Sequence, residues 1–227
     1  MKHNIICLKV GTKYSSDYVN KLYNMTQRHT TIPHRFVCFT EDSNGLNPEI
    51  EVKPLPNVPK HITGWFYKLA FFQPNLAGLQ GTILYFDLDV VIINNIDEMF
   101  TYKPGEFCII NDWLYSDILK QKKYNSSIMK WNVGQYSNMF YDFVNNFKYT
   151  KKYVGDQDYI TDYVQPPALW PKDWCVSFKF SKCYQTFPKD SKVIVFHGKP
   201  NPHEASEPGR DWGRGVTSVD WIEKYWY

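Results

Sequence analysis

The chain has 227 residues, 43% hydrophobic and 22% charged, which is ordinary globular usage and suits one domain with a full apolar core. Its net charge of +3 comes from Lys and Arg spread along the chain, with no basic block, and this excludes nucleic acid as the expected partner. No apolar run approaches the roughly 18 residues of a membrane span and no signal peptide precedes the first strand-like run, so the expected location is cytoplasmic. Four of the five cysteines (Cys7, Cys38, Cys108 and Cys175) sit inside apolar runs, and Cys183 closes the last such run. They read as small buried hydrophobes in a reducing compartment.

Residues 4–10 form a short apolar run that ends at Gly11, and helical spacing follows over 15–28, with Tyr18, Leu22 and Met25 on one face and Ser15 or Ser16 as N-cap. Strands are expected at 35–40 and 50–55, then a proline-rich loop. A helix over 65–75 should place Trp65, Leu69, Phe72 and Leu76 on its inner face. Further strands are expected at 82–93, 106–110, 127–131, 174–180 and 192–196, with helices over 138–146 and from 156 onward. Strands alternating with helices predict an α/β fold, a mostly parallel sheet flanked by helices, with its site beyond the carboxyl ends of the strands. Residues 201–227 read as a loop and an aromatic tail. Trp and Tyr at that density suit a membrane interface, yet one Lys and two acids in the last eight residues favour packing on the domain.

The run Thr82–Ile93 is the informative one. It reads as a single strand buried on both faces, interrupted only by Asp87 and Asp89. Strand geometry turns those two side chains to one face and Leu88 to the other. Two carboxylates in apolar surroundings need a cation between them. The expectation is a divalent metal at the carboxyl end of a central strand.

A second half for this site lies at His197, Gly198, Lys199 and Pro200, just past the last strand. The imidazole offers a nitrogen ligand, the glycine lets backbone approach a ligand, and the lysine supplies a point charge for phosphate. Carboxylates, one imidazole and phosphate oxygens favour Mn²⁺ over Mg²⁺. Lys68, one helix before the aspartates, is placed either to hold Asp87 or to reach the same phosphates.

The order of Lys68 and Leu69, then Asp87, Leu88 and Asp89 inside their apolar run, then 96–100, resembles the family 8 glycosyltransferases, the glycogenin and lipopolysaccharide galactosyltransferase group. Gly155, Asp156, Gln157 and Asp158 resemble that group's Asp-Gln-Asp segment, and 197–200 its closing His-Gly-Lys-Pro motif, although Gly198 and Lys199 are adjacent here where the family spaces them apart. The resemblance runs from about residue 4 to 200. It implies a GT-A fold, a Rossmann-like single domain, and transfer of a hexose from a nucleotide sugar, usually UDP-linked, with retention. Asp87, Asp89 and His197 would bind Mn²⁺, while Gly198, Lys199, Lys68 and the Asp87–Leu88 segment would hold the diphosphate. Val10, Gly11, Thr12, Tyr14, Thr40 and Glu41 would hold the nucleoside. Asp156 and Gln157 would lie at the donor sugar, and Asp112 would face its hydroxyls. The acceptor is left open among saccharides, lipid-linked glycans and proteins. Alternatives are an inverting transferase using Asp158 or Asp112 as base, a nucleotidyltransferase, and an idle nucleotide-sugar-binding protein. Against the nucleotidyltransferase stands the stretch 10–13, which has little glycine or positive charge.

Overall fold

The structure, a computed structural model, describes residues 2–60, 62–119, 121–146, 152–213 and 215–227. A strand–helix–strand unit opens it: β1 (His3–Lys9), α1 (Ser16–His29) and β2 (Arg35–Thr40), with β1 and β2 parallel. In α1, Tyr18, Val19, Leu22 and Met25 are buried, as the spacing predicts. Ser15 stands at the extended N-cap position, but its side chain makes no cap bond; Asp17 in the first turn and Arg28 and His29 in the last complement the helix dipole.

The main sheet has seven strands in the order β3, β2, β1, β4, β7, β6, β8. These are β3 (Glu51–Lys53), β4 (Thr82–Phe86), β6 (Cys108–Asn111), β7 (Tyr124–Asn132) and the short β8 (Ala168–Leu169) with β1 and β2. The first four strands run parallel, β7 is antiparallel to both its neighbours, and β8 is parallel to β6. The sheet is mixed and mostly parallel, with apolar cores on both faces. On β4, Leu84 and Phe86 enter one core and Ile83 and Tyr85 the other, the two-residue alternation of a strand covered twice.

The expected strand over 82–93 is two strands in two sheets. β4 ends at Phe86, and β5 (Val90–Ile92) belongs to a three-stranded sheet ordered β5, β10, β9, where β9 is Cys175–Ser177 and β10 is Val193–Val195. The Asp87 N–H still bonds the carbonyl of Ser127 at 2.8 Å, whereas the Asp89 carbonyl accepts from the Phe196 N–H at 2.9 Å. The backbone passes from one partner to another across these three residues. Both halves are buried throughout, so apolar periodicity does not mark the passage.

The helix expected over 65–75 is a 3-10 helix, Gly64–Phe72, and Trp65 is 63% exposed instead of core-facing. The buried positions are Lys68, Leu69, Ala70, Phe71 and Phe72, and Trp65 stands in the exposed first turn ahead of them. The pattern alone did not disclose a single turn of π-helix after Asp112 (Trp113–Ile118) or the short helices α2 (Asp97–Thr101) and α5 (Pro202–Ala205). Two expected helices are present as α3 (Ser137–Asn145) and α4 (Asp156–Tyr163). All five cysteines are free and buried. No helix among the described residues is long and apolar enough to cross a membrane.

The aromatic tail packs on the domain. Its last turn is α6 (Ile222–Tyr225); Trp221, Ile222 and Trp226 join the core, and the Lys21 ammonium lies 3.8 Å from the centre of a Trp226 ring. The Arg28 guanidinium donates to the carbonyls of Tyr225 at 2.7 Å and Tyr227 at 2.9 Å. Trp226→Ala should therefore cost about 3–5 kcal/mol, read as a lowered thermal midpoint. The same variant should bind anionic liposomes no less than the parent does, because the ring is already spent on the core.

Candidate active site

Asp87 leaves the end of β4 and meets the Lys68 ammonium at 3.1 Å and the Tyr85 hydroxyl, which donates to it at 2.6 Å. The same ammonium lies 3.3 Å from Asp156 at the start of α4 and 3.1 Å from the Ser126 hydroxyl on β7, which itself donates to Asp156 at 2.6 Å. Lys68 and Asp156 are buried. Burial works to lower the lysine's pKa, but the charges of Asp156 and Asp87 outweigh it and hold the ammonium protonated well above its usual range. Burial raises the Asp156 carboxyl despite Lys68. Of the two roles expected for Lys68, the ion pair with Asp87 is the one present in the structure, and Lys68 also lines the cavities beside it.

Among the described residues Asp89 has no cation at ion-pair distance. Its partner is the Tyr14 hydroxyl, which donates to it at 2.6 Å from the turn after β1. Burial and the neighbouring charge of Asp87 push Asp89 up to about 6, against the Tyr14 hydrogen bond and the more distant Lys13 and Lys68. Burial, together with the Asp89 charge, raises the Tyr14 hydroxyl as well. A carboxylate in this position lacks positive charge, and the donor set fits a hard cation.

The small sheet brings 197–200 to the aspartates. In the antiparallel pairing of β5 and β10, Val90 faces Val195, so the residues just before β5 lie beside those just after β10. The His197 ring is stacked between Trp113 (5.5 Å, 13°) and Phe180 (5.3 Å, 16°). Its Nε2 lies 2.7 Å from the Ser177 hydroxyl, and that oxygen also accepts from the Phe180 N–H at 3.0 Å. Burial first, then the charge of Lys179, lowers His197 to about 4, so the ring is neutral at physiological pH. A neutral ring that donates Nε2–H to Ser177 keeps its lone pair on Nδ1; in the other tautomer Nδ1 carries the proton and the lone pair on Nε2 accepts from Ser177. Among the described residues no three His, Cys, Asp or Glu side chains are already gathered into a metal-holding cluster.

Two adjoining cavities meet at Lys13, Trp65, Lys68, Asp87 and Asp89. The one of about 300 Å³ is lined on its far side by Leu8, Val10, Tyr14 and Leu88. The other, of about 390 Å³, is lined by Asn125, Ser126, Ser127, Asp156, Gln157, Asp158, His197 and Gly198. The Gln157 side chain makes no hydrogen bond among the described residues, whereas Asp158 is paired with Lys123 at 2.8 Å and accepts from the Val154 N–H.

Other expected site residues lie outside both linings. Asp112 accepts from the N–H groups of Leu114 and Tyr115 at 2.9 and 2.8 Å, capping the π-helical turn. The Gly11 N–H bonds Glu41 at 2.6 Å, and the Thr40 hydroxyl closes a turn on Asp42. Thr12 is exposed. Lys199 reaches the other way, to Glu204 at 3.0 Å. Sequence reasoning missed Trp65, Lys13, Ser126 and Ser177. A glycine directly before Trp65, at φ +60°, is the local signal that the chain turns there.

Lys68→Met should strand two carboxylates and cost about 3–5 kcal/mol near pH 7–8, measured by chemical denaturation. Carboxylates with raised folded pKa values lose stability as pH rises. The gap between variant and parent should therefore narrow as the pH is lowered and one of them takes a proton.

No protein-family description and no curated protein matches the sequence. Solved structures do. The galactosyltransferase LgtC in complex with donor and acceptor sugar analogues superimposes with a TM-score of 0.63 at 13% identity, over 97% of this chain and 93% of that one. The bifunctional glycosyltransferase WbbM gives 0.67 at 16% identity, over 88% of this chain but 46% of that one. The glycosyltransferase GlyE of Streptococcus pneumoniae gives 0.66 at 10% identity, over 99% of this chain and 60% of that one. At these identities the similarity shows the fold, and the fold is that of the GT-A glycosyltransferases.

Proposed function

We propose that this chain is a metal-dependent glycosyltransferase that moves a hexose from a UDP-linked nucleotide sugar to a saccharide, lipid-linked or protein acceptor, with retention. One juxtaposition carries this reading. At the carboxyl end of β4, an under-compensated carboxylate pair faces, across a single cavity, the His197–Gly198 backbone and the Asp156–Gln157 helix start. On the GT-A fold that is where strand ends and crossovers leave a crevice. LgtC, a structure of the same fold, holds donor and acceptor sugar analogues, and the same two classes of partner are proposed here.

Val10, Tyr14 and Leu88 would bound the nucleoside end of the donor, and Gln157 would lie at the sugar. A divalent cation held by Asp87 and Asp89, with His197 as a nitrogen donor, would neutralise charge on the departing diphosphate, and the imidazole favours Mn²⁺ over Mg²⁺. Asp156 is committed to Lys68 and Ser126, and Asp158 to Lys123. Neither is free to attack the sugar or to serve as a strong base. The acceptor proton then goes to the leaving diphosphate on the same face, which gives retention.

Incubation with a panel of nucleotide sugars and Mn²⁺ should release nucleoside diphosphate from one donor, and Asp89→Ala should abolish the release. No release from any donor, or release that survives the substitution, would overturn the assignment. NMR of the product should show an α-linkage from an α-linked donor; a β-linkage would exclude retention. Because Asp89 titrates at about 6, protons should compete with the cation. Mn²⁺ affinity measured by calorimetry should fall about tenfold per pH unit below that point.

A further inference from the structure

We propose that Lys179, and not Lys199, is the lysine that grips the donor's leaving diphosphate; the inference rests on the nucleotide-sugar reading of the cavity. Parallel strands β9 and β10 end side by side, with Ser177 facing Val195. The Phe178 N–H donates to the Val195 carbonyl at 3.0 Å, and the rings of Phe178 and Phe196 stack 4.4 Å apart. One residue further along each chain stand Lys179 and His197. The Lys179 Nζ comes within 3.5 Å of the point a Cβ on Gly198 would occupy, and Gly198, at φ +72°, lines the larger cavity. The ammonium thus lies against the bare backbone of a lining residue, although Lys179, like Lys199, is not itself part of either lining.

Lys179 is half-buried, and among the described residues no acid or other side chain pairs with its ammonium. The other buried or rim lysines of this region have their anions: Lys68 has Asp87 and Asp156, Lys123 has Asp158, and Lys199 has Glu204. Lys13 also lacks an acid, but it is exposed and rests over the Tyr14 ring, 4.6 Å from its centre. Water satisfies an exposed ammonium, whereas a half-buried one without a counter-ion is an unspent charge. An anion laid along the Gly198 backbone would supply that missing partner, and a diphosphate is the anion this cavity is proposed to hold.

Lys199 has a different task. Its partner Glu204 is nearly buried, and it also accepts from the N–H of Asn201 at 2.8 Å and the Asn201 side chain at 3.1 Å, forming the capping box of α5. Turning Lys199 toward the cavity would leave Glu204 without its cation. Lys199 is 71% exposed where it stands, so its ion pair fastens the end of the loop at the surface.

Calorimetry with UDP and, in parallel, GDP, with the free nucleosides as phosphate-free controls, tests this. In the presence of Mn²⁺, Lys179→Gln should weaken diphosphate binding by at least about tenfold, as expected for loss of a charge-assisted contact, and leave nucleoside binding unchanged. Lys179→Arg should restore most of the loss. Lys199→Gln should leave diphosphate binding within about twofold of the parent while lowering the thermal midpoint. Unchanged binding in Lys179→Gln, or a larger loss in Lys199→Gln or Lys13→Gln, would overturn the proposal and leave the nucleotide-sugar reading standing. A parent chain that binds neither diphosphate would overturn both.

Discussion

The Lys68 ammonium between Asp87 and Asp156 is the interaction on which the rest of the site depends. It joins the 3-10 helix to the end of β4 and the start of α4, and through Ser126 it also touches β7. A buried cation shared by two carboxylates and a hydroxyl fixes four elements at one point, which a surface pair would not do. The Tyr85 hydroxyl secures Asp87 from its other side. Among the described residues Asp89 is then left with a tyrosine as its partner. Lys68 and the exposed Lys13 stand against Asp87, Asp89 and Asp156 beside a neutral imidazole, so the net charge of the centre is negative when all are ionised. On the proposed reading, a nucleoside diphosphate would need a cation to enter such a place, and a cation held by the carboxylates would serve its phosphates too; this electrostatic deficit supports that reading more directly than the spacing of the aspartates does.

Much of the architecture was legible because it follows from periodicity. The alternation of apolar runs and helical stripes located β1, α1, β2, α3 and α4 to within a residue or two, and the parallel part of the sheet followed from their order, whereas the antiparallel β7 did not. What was not legible depends on who pairs with whom. Residues 82–93 are apolar on both sides of the aspartates because each half is buried in its own sheet, and a strand that changes partners leaves no trace in hydropathy. Trp65 shares helical spacing with Leu69 and Phe72, but it stands in the exposed first turn of its helix, and spacing does not mark where a helix emerges from the core.

The same competition decided the individual site residues. Lys199 sits next to Gly198, and adjacency suggested a shared ligand; yet Asn201, Pro202 and Glu204 spell a helix start whose glutamate draws the lysine away. That signal was present in the sequence. Asp112 is likewise a good helix cap before it is anything else, since its side chain satisfies two N–H groups that would otherwise be unpaired. Lys179 gave no hint, because nothing in a strand-like run from 174 to 180 tells that β9 stops at Ser177 and that the next turn folds over His197.

The accuracy of the site rests on the small sheet more than on the large one. β5 and β10 come from segments about a hundred residues apart and share only three residue pairs. Side chains alternate with a period of two, so a slip of one residue would turn His197 away from the aspartates. Three features oppose it: the parallel strand β9 on the far edge, the aromatic stack of Trp113, His197 and Phe180, and the Ser177 hydroxyl that binds the ring. The hydroxyl also bears on chemistry. It can orient His197 with a lone pair outward only by accepting the Nε2 proton, and the Phe180 N–H already points at the same oxygen. The serine's own hydrogen must then find another acceptor. Whether His197 is offered to a cation or withheld from it is therefore decided one bond away from the ring, at a residue that touches no substrate.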